Sequence, residues 1–205
     1  LYYNFEIPEL IDRILIKSKS ILNEYFHCDG SIPLFNGSNN NYTKIIFDSL
    51  NKEEYLKSRT FSDTTNGIAF YSDKNKSLFF DVVQPNKNKI SENLSAGTLS
   101  FEFSADSEKI ISNCGASESS GKNPEYLRYS AAHSTIILQN TNISEIKEGN
   151  PHIKYPRSVK FNCENNTTST IFEGSHNGYL KKFNTIIKRK IEIQNDSHFL
   201  KGEDS

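Results

Sequence analysis

Residues 98–113 read Thr-Leu-Ser-Phe-Glu-Phe-Ser-Ala-Asp-Ser-Glu-Lys-Ile-Ile-Ser-Asn, and they indicate antiparallel β-structure. Apolar and polar residues alternate from Thr98 to Ser104, which is the period of a strand with one buried face. Turn-forming residues at 105–107 separate this strand from a second one at 108–113. The stretch therefore predicts a β-hairpin.

The same two-residue period continues on both sides of this hairpin. Further strands are predicted at 67–71, 77–83, 134–139, 158–163, 168–173 and 183–193. Several short strands separated by turn signals indicate an antiparallel sandwich rather than a parallel α/β sheet.

Before residue 60 the apolar period is helical. Apolar residues recur three and four apart between residues 7 and 26, which predicts an amphipathic helix ending near Gly30. A weaker pattern of the same kind predicts a second helix at 43–57. The predicted fold class is mainly β, an antiparallel β-sandwich preceded by two α-helices.

Composition narrows the classes of function. The chain has 24 Lys and Arg against 25 Asp and Glu, a formal net charge of −1. Dedicated nucleic-acid-binding proteins carry a basic excess, so we expect no nucleic-acid partner. No apolar run approaches the roughly 20 residues that span a bilayer, so we expect no membrane span in this segment. The three cysteines are widely spaced without a CxxC motif and indicate neither a disulfide framework nor a zinc knuckle.

The chain of 205 residues contains no Met and begins with Leu1. An unusual composition with a processed N-terminus would explain this, and so would a piece of a longer protein. We expect the second.

Five stretches resemble, in order and spacing, the motifs of one known family. They are Phe-His-Cys-Asp-Gly-Ser-Ile-Pro-Leu-Phe-Asn-Gly (26–37), Asn-Leu-Ser-Ala-Gly-Thr-Leu-Ser-Phe-Glu (93–102), Ile-Ile-Ser-Asn-Cys-Gly (110–115), Arg-Tyr-Ser-Ala-Ala-His-Ser-Thr (128–135) and Ser-His-Asn-Gly-Tyr (175–179). Together they resemble the C-terminal β-sandwich of the heparinase II/III-like polysaccharide lyases.

The resemblance implies a domain organisation. Residues 1–57 would be the last helices of an N-terminal (α/α) toroid, and 58–205 would be the sandwich, continuing beyond Ser205. The active site would lie in the cleft between the two domains. We therefore expect this segment alone to be inactive without the rest of the toroid.

The resemblance also implies an activity, the β-elimination of a polysaccharide that contains uronic acids. One group neutralises the sugar carboxylate, a Tyr or His base removes the C5 proton, and an acid protonates the leaving oxygen. The partner would be an acidic polysaccharide, and the location would be the cell envelope or periplasm of a bacterium.

Carried over residue by residue, the family's catalytic His of the sandwich corresponds to Asn93. Its metal-binding His, Asp and His correspond to Ser95, Asn113 and His133. Neutral Ser and Asn side chains are poor zinc ligands. We therefore expect no cofactor, with zinc possible only at a degenerate site. The alternative is a hydrogen-bonded polar network that holds three strands in register.

Two more residues are predicted to bind substrate. Arg128 could hold a carboxylate through two parallel hydrogen bonds, although an Arg at a strand edge is usually solvated or paired. His176 is the second candidate, and support of the turn at Gly178 is its simpler role. The basic residues of 181–190 would suit a polyanion, but on an alternating strand they usually form a solvated face.

Two functions thus remain open. The first is a lyase in the intact protein. The alternative is a non-catalytic carbohydrate-binding or structural β-sandwich with a degenerate lyase site. Asn93 and Ser95 favour the alternative, whereas Arg128, Asn113 and His133 favour the lyase.

Overall fold

The computed structural model describes residues 8–40, 43, 60–62, 67–85, 94–116, 124–147, 150–197 and 199–205. The chain begins with helix α1 (Glu9–Glu24). A five-stranded antiparallel sheet follows, with its strands in sequence order: β1 (Thr60–Ser62), β2 (Ile68–Ser72), β3 (Lys76–Asp81), β4 (Phe101–Ala105) and β5 (Glu108–Ile111).

The connection from β5 to the second sheet contains short elements. Two 3-10 helices (Glu125–Arg128 and Ser130–Ala132) precede a small ribbon of β6 (Glu145–Lys147) and β7 (Asn150–Lys154). The second sheet has the order β11-β10-β9-β8, and a short helix connects β9 to β10. Its elements are β8 (Val159–Asn165), β9 (Ser169–His176), α2 (Leu180–Phe183), β10 (Ile187–Gln194) and β11 (Leu200–Asp204).

The two sheets pack face to face around one apolar core. Leu78 and Phe80 of β3 and Phe172 of β9 are fully buried in it. Gly174 of β9 permits the close approach, because a Cβ atom there would lie 2.4 Å from Leu99 Cδ2. The predicted fold class, an antiparallel sandwich after an N-terminal helical region, is confirmed.

Two buried cations, Lys76 and Arg189, connect the two sides of the sandwich. Lys76 Nζ of β3 donates to the carbonyl oxygens of Gln194 (2.5 Å), Asn195 (3.1 Å) and Ser197 (2.6 Å) beyond β10. Arg189 of β10 binds both carboxylate oxygens of Asp204 on β11, at 2.7 and 2.8 Å, and its Nη1 donates to the Leu99 carbonyl oxygen in the connection between β3 and β4 at 2.7 Å. Backbone acceptors and a bidentate carboxylate satisfy these charges, so they can be buried.

The predicted strand at 134–139 is wrong. These residues follow the second 3-10 helix in turns, with only an isolated bridge between Leu138 and Thr141. The Thr135 hydroxyl donates to the Thr98 carbonyl, and the Ser134 backbone N–H donates to the Asn113 side chain. Side-chain partners thus replace the strand ladder here.

The first helix ends earlier than the sequence predicts, at Glu24 rather than near Gly30. The chain turns after it, where Phe26 and His27 are buried and His27 packs against Phe79 of the first sheet. Gly30 has a φ of +79°, but its N–H closes a turn onto the His27 carbonyl and caps no helix. Of the second predicted helix, only Thr43 lies within the described residues.

The outer face of the second sheet carries Lys188 and Lys190 of β10, whereas Arg189 between them is buried. Lys190 of β10 pairs with Glu173 of β9, with a distance of 3.5 Å between Nζ and Oε1. Mixed charge of this kind is typical of a solvated face. In the part of the chain that the structure describes, no helix has both the length and the apolarity to cross a membrane.

Candidate functional site

Residues Leu94–Ala96, hereafter the site segment, lie between β3 and β4 and are held by their backbone. The Ser95 N–H donates to Asn36 Oδ1 (3.1 Å), and the Ala96 N–H donates to the Arg128 carbonyl (2.8 Å). The Ala96 carbonyl accepts from Ser130 Oγ at 2.7 Å. Asn93, predicted at the position of the family's catalytic His, lies immediately before this segment and outside the described residues.

Arg128 ends the first 3-10 helix, rather than standing on a strand edge. Its side chain reaches back to the site segment, where Nη2 and Nε lie 3.1 and 3.4 Å from the Leu94 carbonyl oxygen. The residue is only 8% exposed. Burial lowers the pKa of this guanidinium, and the negative charge of Glu125 opposes that change. Among the residues that the structure describes, no carboxylate lies within ion-pair distance of it.

Asn113 follows β5 and ties that strand to the next connection. Its backbone N–H donates to Glu102 Oε1 (2.9 Å), and its Oδ1 accepts the Ser134 N–H (2.9 Å). The neighbouring His133 is buried against Gly97, where a Cβ atom would lie 3.1 Å from the imidazole Cγ. Burial lowers the pKa of His133 to about 4, so the ring is neutral at pH 7.

These residues do not fit a zinc ion. The oxygen of the Asn113 amide, its one possible ligand atom, already accepts a backbone N–H. Ser95 offers a neutral hydroxyl where imidazole would be needed, so His133 remains as the one good ligand of the three. No group of three His, Cys, Asp or Glu side chains suited to a metal occurs among the described residues. Asn113, through its bond to the Ser134 N–H, makes one contact of the polar network considered from the sequence, but Ser134 lies in a turn and not in a third strand.

Glu102 of β4 is the centre of a buried polar cluster that the sequence interpretation missed. Its Oε2 accepts from His27 Nε2 (2.9 Å) and Lys109 Nζ (3.2 Å). Its Oε1 accepts the backbone N–H groups of Leu34 (3.1 Å) and Asn113 (2.9 Å). The cluster therefore joins the segment after α1 to the strands that carry the site.

The protonation states of this cluster follow from its contacts. Burial raises the pKa of Glu102, but the bond from His27 and the charge of Lys109 outweigh it and hold that pKa below its usual value. Burial lowers the pKa of His27, and its bond to Glu102 only partly opposes this. The cluster thus contains an ionised carboxylate and a neutral imidazole at pH 7. The Phe-His-Cys-Asp-Gly motif was the sequence signal that could have identified His27.

Asp81, at the end of β3, is a second buried carboxyl beside the site segment. Its Oδ1 accepts the Val83 N–H at 3.0 Å, and it accepts a hydrogen bond from the Asn36 side chain. Burial raises the pKa of Asp81 to about 7, although both hydrogen bonds oppose that rise.

His176 lies on β9 in the second sheet and is 1% exposed. Its Nδ1 accepts the Gly178 N–H at 3.1 Å, which is the turn-supporting role considered from the sequence. Burial, with a smaller contribution from Arg189, lowers its pKa to about 4. The structure thus brings Ser95 and Arg128 together, whereas Asn113 contacts Glu102 of β4 and Ser134. A substrate contact of His176 stays a prediction, and its burial favours the turn.

The family model described as "Heparinase II/III-like, C-terminal" matches residues 60–205. No curated protein matches the chain significantly by sequence.

Solved structures of similar fold include heparan sulfate lyase HepC from Pedobacter heparinus. This match has a TM-score of 0.62 and 14% sequence identity, and it covers 92% of this chain and 32% of that one. A structure titled Heparinase III matches with a TM-score of 0.58 and 13% identity, over 92% of this chain and 35% of the other. The chain therefore spans about a third of the length of these proteins, and identities this low show the fold alone.

Proposed function

The chain belongs to the heparinase II/III-like family, and from this we propose that the intact protein is a polysaccharide lyase acting on an acidic polysaccharide by β-elimination. The polysaccharide would contain uronic acids. The location we propose is the cell envelope of a bacterium, where such a substrate would be met.

The environment of the Arg128 side chain is the observation that supports this proposal. Its guanidinium is largely buried and has a neutral carbonyl as its partner among the described residues. Glu125 lies close enough for its charge to act on Arg128 but forms no ion pair with it, and a buried cation with so little compensation is costly, so its retention favours an anionic ligand. A uronate carboxylate suits it, because a guanidinium binds carboxylates through two parallel hydrogen bonds.

In the proposed mechanism Arg128 neutralises the sugar carboxylate. Reduced charge on that group lowers the pKa of the C5 proton, since the developing carbanion is delocalised into the carboxylate. The base that removes the proton and the acid that protonates the leaving oxygen would come from the toroid, outside residues 1–205. No step in this mechanism uses a metal, because the residues at the implied zinc position do not fit one.

The division into a toroid end (1–57) and a sandwich (58–205) is part of the proposal. Helix α1 supports it, because its apolar side chains are exposed: Leu10 is 71% and Ile14 55% accessible. An amphipathic helix of this kind normally packs its apolar residues against another element. The preceding helices of a toroid would cover them.

The proposal is tested by assaying the intact protein and matched variants on a panel of polysaccharides that contain uronic acids. The intact protein should produce the unsaturated, ultraviolet-absorbing product from at least one of alginate, heparan sulfate and related uronates. Arg128→Gln should lower kcat/KM about 100-fold, as expected for loss of a bidentate charge-assisted contact. Arg157→Gln is the control, because Arg157 is exposed and stacks on Tyr155. Equal activity of Arg128→Gln and wild type would refute the role of Arg128.

A second function is favoured by the substitutions at the implied metal position. Asn113 uses its oxygen within the fold, and Ser95 lies where an imidazole would be required. A carbohydrate-binding or structural sandwich without catalysis would retain Arg128 but not these ligands. Binding of a uronate oligosaccharide with no product across the panel would support it.

A further inference from the structure

The turn at Phe35–Gly37 connects the segment after α1 to the site segment. Asn36 has a φ of +49° and Gly37 a φ of +87°, and Asn and Gly are the residues that adopt this left-handed conformation most readily. Asn36 Oδ1 accepts the Ser95 N–H at 3.1 Å, and the same amide donates to the Asp81 carboxyl. One side chain therefore bridges the end of β3 and the site segment.

The orientation of this amide follows from its two partners. A backbone N–H can only donate, so it must face the amide oxygen. The Asp81 carboxyl, whose Oδ1 already accepts the Val83 N–H, then accepts from the amide nitrogen. Asp81 is 3% exposed, so water does not readily replace Asn36 there.

The rest of the turn is anchored independently. The Leu34 N–H donates to Glu102, and the Ser38 carbonyl accepts the Ala116 N–H at 2.8 Å. The turn is thus a fixed base from which Asn36 reaches the site segment.

The neighbours of Ser95 are the residues that hold Arg128. The Leu94 carbonyl accepts from the guanidinium, and the Ala96 N–H donates to the Arg128 carbonyl. A displacement of Ser95 would therefore move both contacts of Arg128 with the site segment.

We infer that Asn36 is a positioning residue, whose amide holds the site segment where Arg128 can meet a uronate carboxylate. Asn36 would touch no substrate and would act only through Ser95. The inference rests on the proposed function for its uronate ligand, whereas the placement of the site segment can be measured without any ligand.

The experiment compares Asn36→Gly with Asn184→Gly in the intact protein. Glycine keeps the left-handed backbone and removes the amide. Asn184 has a φ of +53° and is exposed. Asn184→Gly therefore reproduces the effect of glycine at a left-handed position, but away from the site segment. Hydrogen exchange followed by mass spectrometry reports on residues 94–96. Calorimetry with an alginate oligosaccharide and a heparan sulfate oligosaccharide reports affinity.

Asn36→Gly should speed exchange at the Ser95 amide about tenfold and weaken uronate binding about tenfold, the effect of one net hydrogen bond. Asn184→Gly should stay within about twofold of wild type in both measurements. Asn36→Asp keeps an oxygen for the Ser95 N–H. At pH 5 the Asp81 carboxyl is neutral and can donate to the new carboxylate at position 36. Exchange at the Ser95 amide of Asn36→Asp should therefore be as slow as in wild type at that pH.

Unchanged exchange at residues 94–96 in Asn36→Gly would overturn the inference. Faster exchange with unchanged affinity would overturn the connection to Arg128. A wild-type protein that binds neither oligosaccharide would instead count against the proposed function, and the exchange comparison would still decide whether Asn36 holds the site segment.

Discussion

Replacing Glu102 by Gln should lower the free energy of unfolding by about 3 kcal/mol at pH 7. In the variant Oε1 can still accept the two backbone N–H groups, so those bonds are kept in weaker, neutral form. An NH2 group takes the place of Oε2, which accepts from His27 (2.9 Å) and Lys109 (3.2 Å). His27 can adapt, because the other tautomer accepts at Nε2 and donates at Nδ1 to Ser104 Oγ, 3.0 Å away.

Lys109 cannot adapt, because an ammonium group only donates. Loss of its charge-assisted bond costs about 1.5–3 kcal/mol, and the weaker backbone bonds bring the total to about 3 kcal/mol. Urea unfolding at pH 7 measures this difference. Glu108→Gln is the matched control, since Glu108 is exposed on the same hairpin and should change stability by less than about 0.5 kcal/mol.

The pH dependence provides the decisive check. The pKa of Glu102 is lowered in the fold, so its contribution is present above the unfolded pKa of about 4.3 and is lost as pH falls through the folded pKa. The gap between wild type and Glu102→Gln should therefore narrow below about pH 4.3. A gap under about 0.5 kcal/mol at pH 7, or one that stays constant down to pH 3, would refute the reasoning.

Three further perturbations test other parts of the fold. Lys76→Met should lower the free energy of unfolding by about 3 kcal/mol in urea unfolding, because three backbone carbonyls lose a charged donor. Lys74→Met, in the exposed turn before β3, should be near neutral. Gly174→Ala should lower the free energy of unfolding by about 1–3 kcal/mol through overpacking against Leu99. Gly202→Ala is the control, because a Cβ atom there meets no atom within 4 Å. Equal thermal midpoints of the two variants would contradict this packing. Burial depresses the pKa of His176 to about 4, so the unfolded chain takes up its proton first and stability should fall between about pH 6.5 and 4. His176→Gln should flatten that fall by up to about 3 kcal/mol, and an unchanged stability–pH curve would argue against a buried neutral imidazole.

The sequence alone was sufficient for the fold class, an antiparallel sandwich, and for recognising the poor ligands at the implied metal position. It misplaced the strand at 134–139 and the start of the strand at 183–193, which begins at Ile187. Alternation of apolar residues is a local property, so the strands at 98–104 and 158–163 were predicted near where they lie. Ser95 and Asn113 replace the metal-binding residue types of the family. This replacement is evident from the sequence as well, because the quality of a metal ligand depends on the side chain itself.

Only the tertiary structure decided what covers each face and which groups meet. Ser100, Glu102 and Ser104 form the polar face of the strand predicted at 98–104, which the alternation assigns to solvent. All three are fully buried. Residues 26–38 lie over that face, and His27 comes from 75 positions away to meet Glu102. The bond from Arg128 to Leu94 and the bridge from Asn36 to Ser95 likewise join distant residues. A two-residue period determines which side chains share a face, but the element that packs on that face depends on contacts between segments far apart in the chain.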